Sequence, residues 1–207
     1  MRDSKSRNSM IKAVLFDMDN TLHHLDAAVL AAADAVFCYC KEEFAASLSL
    51  LSCTAAERED AVIDCLRGLQ NPVPCLWLYQ KLEEACTDGF PETGAILREL
   101  KNRGCKLAVF TKADGAEVIP RLDMLGLLSY FDAVYTGEYF AYRKPVHNPY
   151  AEVLLSLGFY ADEGAFVDAE LMERLREHPP EHALPFLEEH VKTLRRTNIR
   201  LRRIWKY

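Results

Sequence analysis

An α/β fold, with a parallel sheet covered by helices on both faces and a small helical insertion, is what three observations predict for this chain of 207 residues. Short apolar runs recur at wide spacing, at residues 11–15, 106–110, 132–135 and 165–167. Runs of that kind read as buried strands of a parallel sheet. Helix-like stretches separate the later runs, and such alternation argues for helices on both sides of the sheet. Between the first and second runs, residues 24–88 carry little strand character and read as a helical module set into the α/β body.

The first run contains Ile11, Ala13, Val14 and Leu15, so Asp17 and Asp19 fall just past the C-terminal end of a strand. In open α/β sheets that edge is where ligands bind. Residues 27–44 are rich in alanine and apolar side chains, with polar breaks that suit a helix packed on several sides. Thr54-Ala55-Ala56-Glu57 is a capping-box pattern opening a helix towards Leu69. Asn71-Pro72-Val73-Pro74 interrupts it, a further helix spans 76–86, and Asp88-Gly89-Phe90-Pro91 reads as the hinge back into the body. A helix over 92–103 ends at Gly104. Another over 115–125 ends at Gly126 and carries Pro120 awkwardly in its pattern. The third strand leads to Thr136-Gly137-Glu138, and a helix over 149–157 ends at Gly158. Beyond Pro179-Pro180 the pattern is helical from Glu181 to about Thr197.

Half the residues are hydrophobic and the net charge is −6, a composition that can bury a proper core. No apolar stretch approaches the length of a membrane span. Residues 1–9 are polar and basic, lack the apolar centre of a secretory signal, and read as a flexible tail. The seven cysteines, Cys38, Cys40, Cys53, Cys65, Cys75, Cys86 and Cys105, are odd in number and form no Cys-x-x-Cys pair. Reduced thiols in a cytoplasmic protein are the simplest account of them. From Val191 onward come Lys192, Arg195, Arg196, Arg200, Arg202, Arg203 and Lys206, with no acidic side chain among them. Such a tail could meet nucleic acid, an anionic membrane or an acidic partner. No nucleic-acid motif accompanies it, and the plainer account is a solvated helix whose Val191, Leu194, Leu201 and Trp205 cover the core.

Chemistry enters with Asp17-Met18-Asp19-Asn20-Thr21. Two carboxylates held close at a strand end repel each other unless a cation or a catalytic task justifies them. One can attack phosphorus while the other gives or takes the proton. An acidic strand-to-loop turn is the bland alternative for the pentapeptide alone. This Asp-x-Asp-x-Thr pattern resembles motif I of the haloacid dehalogenase (HAD) superfamily, most of whose members are Mg²⁺-dependent phosphatases. Thr111-Lys112 resembles motif II, whose hydroxyl and following N–H hold a phosphate oxygen. Tyr142-Arg143-Lys144-Pro145 resembles motif III, whose lysine neutralises the nucleophile and the phosphoryl group. Ala165-Phe166-Val167-Asp168 stands where motif IV supplies a metal-binding acid. The order suits the family, and so do the gaps of roughly a hundred, thirty and twenty-five residues.

The resemblance covers about residues 10–168 and implies a Rossmann-like core of residues 10–23 and 89–207, with 169–207 atypical, capped by a C1-type helical domain over 24–88. It also implies a site. Asp17 is the nucleophile and Asp19 the acid and base, while Thr111 and Lys144 hold the phosphoryl oxygens. Asp17, the Asp19 carbonyl, Asp168 and Glu173 are the expected ligands of Mg²⁺. The substrate implied is a small phosphorylated metabolite, hydrolysed through an aspartyl-phosphate. His23, His24 and Asp26 follow motif I and are candidates to touch it. Two features depart from the family. Val167 stands where glycine is usual, and a β-branched residue restricts a tight turn. Glu173 takes the place of the usual second aspartate, although Glu170 and Glu173 equally suit the acidic start of a helix. A phosphomutase uses the same residues. A HAD fold with weak or lapsed catalysis, serving in binding or regulation, is the alternative outside enzymology.

Overall fold

The structure is a computed structural model and describes residues 11–40, 55–66, 73–141 and 148–204. The chain divides into two compact units. One contains the residues up to Thr21 and those from Pro91 onward, the other is Leu22–Phe90.

The first unit is built on strands β1 (Ala13–Phe16), β2 (Lys106–Phe110), β3 (Ala133–Tyr135) and β4 (Gly164–Val167). They form one parallel sheet in the order β3-β2-β1-β4. All four residues of β1 are buried, because a central parallel strand is covered on both faces and alternation of polarity would cost it dearly. Ala13 and Leu15 point to one face, where they meet Ala108 of β2 with Val153 and Leu154 of α7 (Pro149–Ser156). Burying a leucine as fully as Leu15 stabilises the fold by roughly 1.5–3 kcal/mol. The remaining helices of this unit are α4 (Thr93–Asn102), α5 (Gly115–Met124), α6 (Gly137–Ala141), α8 (Ala169–Arg176) and α9 (Ala183–Ile204). Pro120 lies inside α5. The helix over 149–157 closes as expected on Gly158, whose φ of 87° suits a residue without a Cβ.

The α9 helix runs past the expected end near Thr197 to Ile204. Ala183, Leu184 and Leu187 are buried, but Leu194 is 50% exposed. Leu194 therefore does not cover the core as expected; Arg195 instead donates to the Asp162 carbonyl at 2.6 Å. No helix among the described residues is long and apolar enough to cross a membrane.

The second unit contains α1 (Leu25–Cys40), α2 (Ala55–Cys65) and α3 (Val73–Cys86). Leu25, Val29, Ala32, Ala33 and Val36 of α1 share a core with Val62, Leu66, Cys75 and Tyr79. Its two ends are tied together: His23 bridges Gly89, and the His24 N–H donates to the Asp88 carbonyl at 2.9 Å. His23 is fully buried, and the His24 ring lies tilted against Phe90 with centroids 3.6 Å apart. Both histidines thus have structural duties at the junction. The expected flexible tail lies outside the described residues.

Asp132 clamps the β2–β3 edge. Its carboxylate accepts from Lys101 and Lys106, each at 2.8 Å, and from the Leu107 N–H at 2.9 Å. Partial burial opposes its ionisation, but the two ammonium groups and the N–H outweigh burial and bring the carboxyl down to about 2 from its usual 3.8. A depressed carboxyl contributes stability that is complete above its ordinary value and is lost as pH falls through the folded one. Asp132→Asn is therefore expected to cost about 1 kcal/mol near neutral pH, after allowing for solvent screening. That margin should shrink as pH falls from about 4 towards 2, which chemical denaturation of both proteins across this range would reveal.

Candidate active site

The sheet brings three of the expected residues to one edge. Phe16 pairs with Val167, so Asp17 and Asp168 are the next residues on adjacent strands, whose spacing is about 4.8 Å. The Asp17 N–H donates to the Val167 carbonyl at 2.9 Å and knits the two strand ends together. Phe16 also pairs with Val109, which puts Thr111 just beyond the end of β2 on the other side of β1. Side chains alternate along a strand. Asp17 continues the face of Leu15, and Asp168 continues that of Phe166, which pairs with Leu15.

Local chemistry shapes each residue. After Asp17 the chain turns, with the Thr21 N–H donating to the Met18 carbonyl at 3.1 Å. Asn20 takes φ 57° and is the only non-glycine with positive φ among the described residues; asparagine tolerates that region better than most. Thr111 is buried, and its Oγ1 accepts from the Ala113 N–H at 3.2 Å. With a lone pair occupied in this way, the hydroxyl proton is left to donate elsewhere. Asp168 is the N-cap of α8, where Oδ1 accepts from the Leu171 N–H at 2.9 Å. Its second oxygen is the one suited to a ligand.

Val167 does not restrict a tight turn here. It is the last residue of β4, buried, and the change of direction comes at Asp168 with φ −96° and ψ −177°. A β-branched residue suits that extended position. Glu173 lies on the exposed side of α8 and acts electrostatically on Arg176. Among the described residues no three His, Cys, Asp or Glu side chains converge as a metal-binding group. Lys144 and its neighbours Tyr142, Arg143 and Pro145 lie outside the described residues.

Two features of this edge were not anticipated. The first is Tyr150, 38% exposed in the first turn of α7. Its ring lies 4.7 Å from that of Phe110 and 4.5 Å from that of Phe166, spanning the ends of β2 and β4. Burial raises its phenol above the usual 10.0, and the charges of Asp17 and Asp168 raise it further. The second is a latch between the loops after β2 and β3. The Gly137 N–H donates to the Ala113 carbonyl at 2.8 Å, and the Gly115 N–H donates to Glu138 at 2.9 Å. The Thr136 hydroxyl foremost, with backbone N–H groups, brings the Glu138 carboxyl down to about 2.

This edge, a parallel sheet with Asp17, Thr111 and Asp168 at the ends of three neighbouring strands, coincides with a family match. A model of the haloacid dehalogenase-like hydrolases matches residues 14–171. The chain belongs to that family. Among curated HAD relatives, a glyceraldehyde 3-phosphate phosphatase of Methanocaldococcus jannaschii is 27% identical, the match covering 76% of each chain. A pyrophosphatase of Clostridium perfringens, provisionally named, is 28% identical over 76% of this chain and 75% of its own. A provisionally named β-phosphoglucomutase of Thermotoga maritima shares the fold, with a TM-score of 0.66 and 20% identity over 86% of this chain and 99% of that one. A HAD hydrolase of Bacillus subtilis, solved bound to magnesium, has a TM-score of 0.58 at 16% identity, covering 76% of this chain and 79% of that one. With phosphatases among its sequence relatives, the chain is a phosphatase-like HAD enzyme.

Proposed function

We propose that this HAD enzyme hydrolyses a small phosphate monoester in two steps, with Asp17 as nucleophile and Asp19 as acid and base. The observation that carries the reading is the register that sets Asp17 between Thr111 and Asp168 at the C-terminal edge of the sheet. The Asp17 carboxylate attacks phosphorus and the leaving alkoxide departs with the proton that Asp19 supplies. Asp19 then takes a proton from the water that hydrolyses the aspartyl-phosphate, so the pair ends as it began. The Thr111 hydroxyl donates to a phosphoryl oxygen as charge develops there, and Lys144 is assigned the neighbouring oxygens. The helical unit Leu22–Phe90 is assigned the role of cap, which selects the substrate.

The donor set fits Mg²⁺, a hard cation that takes oxygen ligands. The Asp17 carboxylate, the Asp19 carbonyl and the free oxygen of Asp168 would hold it, with water completing the shell. Bound there, it would supply positive charge against the repulsion between an anionic nucleophile and an anionic phosphate. Tyr150 provides a readout of that site without turnover. The phenol is held high partly by Asp17 and Asp168, so adding Mg²⁺ should move its titration to lower pH. An ultraviolet titration with and without Mg²⁺, using Tyr150→Phe to identify the signal, checks this. A titration indifferent to the metal would count against the ligand set.

The test of function is phosphate release from a generic aryl phosphate with Mg²⁺ and with a chelator. Turnover that requires the metal supports the reading. Turnover unaffected by the chelator, or none together with a metal-indifferent Tyr150, would sink it and favour a binding role for the fold.

A further inference from the structure

Arg176 closes α8, the helix that Asp168 caps. A cation in a last turn usually complements the helix dipole from solvent, but this one is turned to the body. Its Nη1 donates to the Thr21 carbonyl at 3.5 Å. Burial weakens its hold on the proton, and the carboxylates of Glu92 and Glu173 act in the opposite sense. Thr21 is fully buried and is the last residue before the chain leaves for the helical unit; Glu92 is the second residue after it returns. One guanidinium therefore meets the first crossing through the Thr21 carbonyl and feels the charge of a carboxylate just past the second. Asp19 lies two residues before the first crossing, in the turn closed by Thr21 onto Met18, and the Thr21 hydroxyl reaches back to the Asp19 carbonyl at 3.5 Å.

We propose that Arg176 is a positioning residue for Asp19: with the charges of Glu92 and Glu173 favouring it there, its guanidinium donates to the Thr21 carbonyl and steadies the two linker ends against α8. Arginine suits the task because its planar fork serves a carbonyl and carboxylates together, whereas lysine offers a single point. Glu173 then serves Arg176, its neighbour three residues on along the helix, and not a metal ion. The catalytic part of this inference rests on Asp19 as acid and base; the clamp itself does not.

The experiment compares Arg176→Met, Arg176→Lys and Glu173→Gln by amide hydrogen exchange and by kinetics on an aryl phosphate. Arg176→Met should raise exchange about tenfold in peptides covering residues 17–23 and 89–94, the loss of one charge-assisted hydrogen bond. Residues 106–110 of β2 should keep their protection. The same variant should lower kcat with KM little changed, and Arg176→Lys should recover part of both effects. Glu173→Gln should resemble Arg176→Lys and leave the Mg²⁺ concentration for half-maximal rate unaltered. Unchanged exchange at the linkers, or a rise shared equally by β2, would overturn the clamp. A markedly higher Mg²⁺ requirement in Glu173→Gln would overturn the assignment of Glu173. Exchange decides the clamp whether or not the wild type turns over, and a wild type without turnover is a failure of the catalytic reading alone.

Discussion

Asp17→Asn is expected to lower phosphate release from an aryl phosphate by about a thousandfold or more, because it removes the proposed nucleophile. The fold should survive. Asn is nearly isosteric with Asp, and what fastens this residue to β4 is its backbone N–H, which the substitution keeps. An unchanged thermal transition beside lost turnover would separate chemistry from stability. Full Mg²⁺-dependent turnover in a clean preparation of Asp17→Asn would refute the nucleophile assignment.

Gly137→Ala is the second large effect, and it arises from backbone. A methyl group at this position would meet the Lys112 carbonyl oxygen, with the Ala113 carbonyl also nearby. Neither can swing aside as a side chain would. The loop after β3 must retreat from the loop after β2, straining the hydrogen bond from the Gly137 N–H to Ala113. Overpacking of this kind typically costs about 1–3 kcal/mol. The displaced segment begins at the residue after Thr111, so turnover should fall together with the melting temperature. A contrast is available at Gly94, where a Cβ meets nothing. Gly94→Ala lies in the first turns of α4 and should leave both readouts near wild type or slightly improve stability. If Gly137→Ala behaved like Gly94→Ala, the close approach of the two loops would be disproved.

Much of this was legible from sequence for a physical reason. A parallel strand buried on both faces must be apolar throughout, so β1, β2 and β4 announced themselves as runs and their ends located Asp17, Thr111 and Asp168. Cap and stop residues served the helices similarly, as Gly158 shows for α7. Other features depended on tertiary contacts that no local pattern carries. Tyr150 follows a proline at a helix start, and nothing there tells that its ring spans two strand ends. Arg176 carries no signal in the local pattern, and only the tertiary fold places it beside the Thr21 carbonyl. Val167 belongs to β4, which stays extended through it and turns at Asp168, a boundary that no local pattern marks. Leu194 has the spacing of a core residue, but the buried positions of α9 are Ala183, Leu184 and Leu187 near its start.

The central position of β1 bears on how the protein comes to be assembled. Both its partners are distant in sequence: Ala13 pairs with Lys106 and with Gly164. The intervening chain must be gathered before either pairing rewards the entropy of closing so large a loop. The helical unit, by contrast, is made of consecutive segments and can condense from local contacts. Asp17 thus sits where the slowest contacts of the molecule converge, and its surroundings exist only once the sheet is whole. A chain caught part-way through folding would hold its helices without the edge that carries Asp17, Thr111 and Asp168.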